Sequence, residues 1–91
     1  MHEASLMNGL MRQIEAVARE QGALRVIGVK VRLGALSHLS AEHFRHHFLH
    51  SSLGTPSEGA QLDISESQDL SDPAAQDILL ESVEVEIAAS P

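Results

Sequence analysis

The chain has 91 residues, and 43% of them are hydrophobic, so we expect one domain that covers residues 1–91. Phe44 and Phe48 are its only aromatic residues of the Phe, Tyr and Trp types, so the core should be modest and mostly aliphatic. It contains no cysteine, which excludes disulfides, thiolate metal sites and a thiol nucleophile. The net charge is −7, with nine acids and no Lys or Arg after residue 46; this argues against a nucleic-acid partner, since phosphate binding needs a basic surface.

The chain starts with Met1-His2-Glu3, which places a terminal amine beside an imidazole. His2 is bulky, so we expect Met1 to be retained. The amine, the His2 imidazole and the amide nitrogens of His2 and Glu3 can lie in one plane, which is the tetragonal arrangement that Ni(II) and Cu(II) prefer. The pattern predicts a metal site here, and the alternative is a frayed, solvated terminus.

Residues 5–22 have the periodicity of an amphipathic helix. Ser5 is a suitable N-cap and Gly22 is a suitable left-handed residue after the C-terminus. This helix would leave residues 1–3 outside its hydrogen-bonded ladder, free to fold around an ion. Its apolar stripe consists of Leu6, Leu10, Ile14 and Val17, with Met7, Met11 and Ala18 beside it.

Residues 26–36 alternate with a period of two, which predicts a strand with one buried face. A second helix should follow from the N-cap Ser40 to about Leu53, with Leu39 and Phe44 forming a hydrophobic staple. In the strand, the residues predicted to be buried are Ile27, Val29, Val31 and Leu33, and those on the opposite face are Gly28, Lys30, Arg32 and Gly34.

The second helix carries four histidines within an arc of about 100° on the side away from its phenylalanines, because residues three or four apart share a helix face. Such pairs can share a metal ion, so His43, His46, His47 and His50 form a second candidate metal site. The alternative is a polar, solvated helix face. His38, in the turn before this helix, could approach the N-terminus in space.

Two more strands are expected near 59–66 and 82–88, separated by a polar linker at 67–80. Lys30 and Arg32 on the first strand would complement acids on the other two, Asp63, Glu84 and Glu86, so we place the first strand in the middle. The order helix-strand-helix-strand-strand predicts an α+β, two-layer domain with a three-stranded mixed sheet and two helices.

The sequence contains no motif typical of an enzyme, such as a phosphate-binding glycine loop, a nucleophile elbow or HExxH, so we expect no catalysis. It also has no run of roughly 18 apolar residues and no signal-peptide pattern. We therefore expect a cytoplasmic protein with no membrane partner.

Several short stretches, in this order, resemble the HypA/HybF family of nickel chaperones in hydrogenase maturation. The resemblance implies an α+β domain that receives Ni(II) at Met1, His2 and Glu3. It also implies delivery to the large subunit of a [NiFe]-hydrogenase with the help of a maturation GTPase. The stretches are Met1-His2-Glu3 with Ser5-Leu6, Arg25-Val26 through Val29 and Val31 to Gly34-Ala35-Leu36-Ser37, Glu42 with Phe44 and Phe48, residues 59–64 and residues 82–86.

The sequence departs from that family in three places. Where relatives insert a zinc ribbon with two CxxC pairs, the linker 67–80 has no cysteine, so we expect no structural zinc. Ser40 stands where relatives often place an acid near the nickel site, and His46 and His50 stand where apolar residues are common. Two hypotheses remain: a nickel metallochaperone, or a non-catalytic interaction module that keeps the partner surface. The oligomeric state stays open, with a homodimer among the alternatives.

Overall fold

The computed structural model describes the backbone of residues 2–87 and the side chains of residues 5–87. Two helices and three strands follow one another in the predicted order. They are α1 (His2–Glu20), β1 (Ala23–Leu33), α2 (Ala41–Ser52), β2 (Gln61–Glu66) and β3 (Ile78–Ile87).

The three strands form one mixed sheet in the order β2-β1-β3. β1 is parallel to β2 and antiparallel to β3, which confirms its predicted central position. Lys30 lies opposite Asp63 in the register with β2. On the other side, Arg25 pairs with Glu86 at 3.2 Å and Arg32 pairs with Glu81 at 2.6 Å, so charge complementarity holds although Glu81 was not among the predicted partners.

Both helices pack on one face of this sheet, which confirms the two-layer α+β architecture. The helical part of the core comes from one stripe of α1, centred on Leu10 and Ile14, and from Phe44 and Phe48 of α2. All four side chains are at most 2% exposed. The core is otherwise aliphatic, as the composition predicts.

The predicted buried face of β1 was wrong at its first position. Ile27 is 37% exposed, whereas Val26 is 2% exposed and belongs to the core. The cause is a break in the register with β3 between Val26 and Gly28, where β1 advances by two residues while β3 advances by one. Such a bulge interrupts the alternation of side chains, so that Val26 and Val29 share the buried face.

The ends of the elements follow their capping residues with two differences. The Ser40 side chain accepts a hydrogen bond from the His43 amide at 3.1 Å, as predicted for the start of α2. Gly22 has φ +64° after α1, as predicted. However, α1 begins at His2 rather than after Ser5, and β3 begins at Ile78, so the irregular segment between β2 and β3 covers only residues 67–77.

In the described part of the chain, no helix is long and apolar enough to cross a bilayer.

Candidate metal site at one end of the fold

The connections of the chain bring several segments to the end of the sheet where β1 finishes. Leu33, the last residue of β1, pairs with Ile78, the first residue of β3. The Leu36 amide then donates to the Ala75 carbonyl at 2.7 Å. α1 reaches the same place, because Ser5 and Leu6 line one groove with Asp77 and Ile78.

α2 also starts at this end and runs away from it. The segment after α2 reaches the beginning of β1, where the Val26 amide donates to the Pro56 carbonyl at 2.9 Å. The two helices therefore point in the same direction and start at the same end. We call this end, formed by residues 2–9, 33–47 and 66–78, the upper end, and the opposite end, with residues 18–26, 50–60 and 84–87, the lower end.

Of the predicted N-terminal ligands, Met1 lies outside the described residues, as do the side chains of His2 and Glu3. The backbone of His2 and Glu3 forms the start of α1, so the prediction that residues 1–3 lie outside the helix was wrong for these two. The first four N–H groups of a helix have no partner within it. The amide nitrogens of His2 and Glu3 thus take no part in the hydrogen-bonded ladder, although they belong to the helix.

The four histidines of α2 lie on its solvent side, as predicted. His43, His46 and His50 are exposed and His47 is partly buried. The rings of His43 and His47 stack, with centroids 4.7 Å apart and planes inclined by 16°. Within residues 5–87, however, no three His, Asp or Glu side chains converge as they would around a metal ion.

His38 occupies the upper end with an unusual backbone. Its φ is +61°, and among the described residues it is the only non-glycine residue with a positive φ. A residue in this left-handed region is held there by its surroundings at some cost, which is common at functional positions. The side chain is exposed and lines a groove together with Ser40 and Glu66.

The sequence reasoning missed Ser37, which lines the same groove. Ser37 is only 2% exposed, and its hydroxyl has no hydrogen-bond partner among the described residues. A buried hydroxyl without a partner is destabilising, because it loses its hydrogen bonds with water and gains none in return. No sequence signal could have found it, since a serine in a turn looks like any other turn residue.

The segment before β3 gives the upper end a negative charge. It contains Asp69, Asp72 and Asp77, and Glu66 ends the preceding strand. The Ser71 hydroxyl donates to Asp69 at 2.7 Å, and mainly for this reason the pKa of the Asp69 carboxyl lies below its ordinary value. This acid therefore stays ionised to lower pH than an isolated aspartate.

Comparison with known proteins finds relatives of this chain. A family model described as hydrogenase/urease nickel incorporation, metallochaperone, HypA matches residues 1–71. The hydrogenase maturation factor HypA of Nitrosospira multiformis is 41% identical over 64 residues, which are 70% of this chain and 56% of that protein. The factor of the same name from Methylocella silvestris is 42% identical over 64 residues, 70% of this chain and 57% of that protein.

A solved structure shows the same fold. The solution structure of the Ni metallochaperone HypA from Helicobacter pylori superposes with a TM-score of 0.76 and 19% sequence identity, covering 97% of this chain and all of that one. The matched segment spans somewhat more than half the length of the two curated relatives.

Proposed function

Because the chain belongs to the HypA family of hydrogenase and urease nickel-incorporation metallochaperones, we propose that it carries Ni(II) as cargo on Met1-His2-Glu3 for the maturation of a nickel enzyme. The observation that carries this proposal is the family match over residues 1–71, because that range includes the N-terminal motif. The role is non-catalytic. Curated relatives named hydrogenase maturation factor support a [NiFe]-hydrogenase as the receiving enzyme.

The start of α1 offers the nitrogen donors that this proposal needs. The amides of His2 and Glu3 are among the helix N–H groups that have no intrahelical acceptor. Their deprotonation for Ni(II) would therefore break no hydrogen bond of the ladder. The terminal amine and the His2 imidazole would complete a planar nitrogen set, which is a geometry that Ni(II) favours.

Electrostatics at the helix start both oppose and support such a site. The N-terminus of a helix is partially positive, which disfavours a bare cation. Deprotonated amides, the Glu3 carboxylate and the acids at the upper end, Asp69, Asp72 and Asp77, would offset this charge. Binding is therefore expected to weaken as the pH falls, because the donors must lose protons before they can coordinate the metal.

Nickel titration followed by calorimetry tests the proposal. We expect both His2→Ala and a one-residue extension before Met1 to lower the affinity by at least about tenfold, the equivalent of 1.4 kcal/mol. His50→Ala is the matched control, because it removes a histidine from the last turn of α2 near the lower end. Unchanged binding in both N-terminal variants would refute the N-terminal site.

The proposed partners are the large subunit of the hydrogenase and a maturation GTPase.

Exposed apolar side chains favour a second candidate function. Leu24, Leu53 and Ile87 are 61%, 60% and 54% exposed. All three lie at the lower end, since Leu24 is the second residue of β1, Leu53 follows α2 and Ile87 ends β3. Leu70, which is 67% exposed, lies at the upper end instead. A contiguous exposed apolar patch is typical of a protein contact surface. The second candidate is therefore an interaction module that assists assembly without delivering nickel.

The two functions differ in their response to substitutions in cells. If the chain delivers nickel, hydrogenase maturation under limiting nickel should be lost in His2→Ala. If it acts only as an interaction module, maturation should survive His2→Ala and be lost when Leu24 and Leu53 are replaced by serine. Nickel titration of the serine variant, which keeps the upper end, provides the control for folding.

A further inference from the structure

We propose that the outer edge of β2 is a docking site for an extended segment of a partner protein, in which basic and apolar side chains alternate. The segment would join the sheet as a further strand. β2 is available for this because it lies at one edge of the sheet, whose order is β2-β1-β3. The site needs neither nickel at Met1-His2-Glu3 nor the exposed apolar side chains of the lower end, so it goes beyond both candidate functions.

The backbone of β2 directs hydrogen-bonding groups away from the sheet at every second residue. In a strand, the N–H and C=O groups of one residue point to the same side, and this side alternates along the chain. The Ser67 amide donates to the Leu33 carbonyl at 2.9 Å, so Ser67 and the other odd-numbered residues of this segment point toward β1. The even-numbered residues point outward. They are Leu62, Ile64 and Glu66.

Arg45 is the one side chain of the described residues that bonds to this edge. Its guanidinium donates to the Leu62 carbonyl at 3.4 Å, which is longer than the roughly 2.7–3.2 Å of an ordinary N–H···O bond. Arg45 is exposed, so it can turn into solvent and release the carbonyl. Within residues 5–87, the outward groups of Ile64 have no hydrogen-bond partner. A strand can therefore pair here without the loss of a strong bond.

β2 lacks most features that protect an edge strand from pairing. Such strands often carry a proline, a lysine or a bulge. β2 contains neither residue, and its register with β1 is unbroken from Gln61 to Glu66. A groove of about 550 Å³ is lined by Leu62, Asp63 and Arg45 among others, so the chain leaves the space beside them open. The protection that remains is the negative charge of the strand.

This charge determines which partner fits. Asp63 and Glu66 form no ion pair with another described residue, and residues 47–91 contain no Lys or Arg. A second copy of the chain would bring the acids of two β2 strands together, which is unfavourable. A basic side chain opposite Asp63 would be favourable. We therefore assign the edge to a partner with basic residues and not to self-association.

The other face of the edge favours apolar side chains. Leu62 and Ile64 are half-buried and pack against the core. Leu49 is 55% exposed and follows Arg45 by four residues, so it lies on the side of α2 that reaches this edge. An added strand would place its apolar side chains beside these residues. We expect it to run antiparallel to β2, since antiparallel pairs are slightly more stable per residue.

The test is an NMR titration of the native chain with a capped peptide of the sequence Val-Lys-Val-Lys-Val. We expect saturable binding of one peptide per chain. The amide signals of Leu62, Ile64 and Glu66 should move more than those of Asp63 and Ser65, because only the outward amides gain an acceptor. A Val-Glu-Val-Glu-Val peptide should bind at least about fivefold more weakly, since it places acids opposite Asp63.

Two methylated peptides test whether the backbone pairs. With valine opposite Ile64 in an antiparallel pair, the valine amides donate to β2 and the lysine amides point to solvent. N-methylation of the valine amides should therefore abolish binding. N-methylation of the lysine amides is the matched control and should change the affinity by less than about twofold. Equal binding of the two methylated peptides, or a loss with the lysine-methylated peptide alone, would overturn the proposed pairing.

Ile64→Pro tests the same edge from the side of the protein. Proline removes only the outward N–H, since Asp63 and Ser65 hold the ladder with β1, and should lower the affinity at least about fivefold. Ile64→Val also shortens the side chain but keeps the N–H, and should change the affinity by less than about twofold. Circular dichroism verifies that both variants fold, and the methylated peptides decide the question in the native chain if the proline variant does not.

Asp63→Asn tests the choice of a basic partner. It should weaken binding of the lysine peptide by about 1.4- to fivefold at low salt, whereas Glu86→Gln removes the same charge from β3 and should not. Equal binding of the lysine and glutamate peptides would overturn the assignment of a basic partner. Absence of any binding of the lysine peptide would overturn the docking site itself. Neither result would bear on nickel binding, which is measured separately.

Discussion

Gly34, at the point where the end of β1 meets the segment before β3, has no room for a side chain. A Cβ atom at this position would lie 2.2 Å from the Ala75 carbonyl oxygen, 2.5 Å from its carbon and 2.8 Å from the Ala74 carbonyl oxygen. These are backbone atoms, which cannot turn away as a flexible side chain could. Gly34→Ala must therefore move the two segments apart by about 1 Å to reach ordinary van der Waals contact.

This displacement also strains the hydrogen bonds that join the segments. The Gly34 amide donates to the Asp77 carbonyl at 2.9 Å, and the Leu36 amide donates to the Ala75 carbonyl at 2.7 Å. Overpacking costs about 1–3 kcal/mol, and a lost backbone hydrogen bond costs about 0.5–1.5 kcal/mol. We expect Gly34→Ala to lower the free energy of unfolding by about 2–4 kcal/mol and, in a chain of this size, the Tm by roughly 10–25 °C.

Thermal unfolding followed by circular dichroism measures the effect, and Gly9→Ala is the control. Gly9 lies inside α1, and nothing is within 4 Å of a Cβ placed there. Alanine is favoured over glycine in a helix by about 1 kcal/mol, so this variant should have a Tm roughly 4–8 °C higher. The same substitution is thus expected to act with opposite signs at two positions. A Gly34→Ala protein that melts within about 2 °C of the parent would refute the steric reasoning.

Two further predictions concern the upper end. Ser40→Ala removes the cap of α2 and should lower the free energy of unfolding in urea by about 1 kcal/mol. Ser40→Asp should restore this stability, because aspartate also caps helices. It should also strengthen Ni(II) binding in a titration, because it adds a negative charge at a helix start. Weaker Ni(II) binding would contradict this view. The lowered pKa of Asp69 means that its hydrogen bonds stabilise the turn above the ordinary aspartate pKa, and that this stability is lost as the pH falls through the lowered value. In an NMR titration, Ser71→Ala should bring the pKa of Asp69 back toward its ordinary value, and an unchanged titration would rule out the hydroxyl as the cause.

The position of β1 in the sheet could be predicted because charge gives long-range information. Lys30 and Arg32 are basic in a chain whose second half is acidic, so the strand that carries them must pair with both of the others to be neutralised. The particular partners could not be predicted in the same way. Arg32 pairs with Glu81, which lies in β3 only because that strand begins at Ile78, earlier than the alternating pattern indicates.

The buried face of β1 was partly mispredicted because alternation assumes an unbroken pleat. Ile27 lies between Val26 and Gly28, and the register with β3 breaks between these two neighbours. A glycine inside a strand often marks a bulge, but the alternating pattern alone does not show one. The start of α1 was misplaced for a related reason. Ser5 is a good cap by type, yet the helix continues back to His2, so a capping preference of about 1 kcal/mol did not decide where the helix starts.

For the candidate site, spacing predicted which residues share a face but not which of them meet. The four histidines of α2 form two pairs with identical spacing, and the sequence treats the pairs alike. The structure separates them, because the rings of His43 and His47 stack with their centroids 4.7 Å apart. Rotamers and neighbouring side chains decide such contacts, and they depend on the tertiary structure.

The two parallel helices impose an electrostatic condition on any cation site at the upper end. Each helix start carries roughly half a positive charge, so an approaching Ni(II) ion is repelled unless anions lie nearby. Asp77 is well placed for this purpose, because it lines a groove with Ser5 and Leu6 in the first turns of α1. The acids at the other end of β3, including Glu86, are too distant to help at physiological ionic strength, where charges are screened beyond about 8 Å.

We therefore expect Asp77→Asn to weaken Ni(II) binding by about 1.4- to fivefold at low salt, which corresponds to the 0.2–1 kcal/mol typical of exposed charge interactions. The effect should shrink as salt is added. Glu86→Gln removes the same charge from the lower end and should leave the affinity unchanged. If both variants lose affinity equally, the net charge of the chain governs binding, and the position of Asp77 does not. In that case, neutralisation of the positive helix starts by acids at the upper end is not the reason that Ni(II) can bind there.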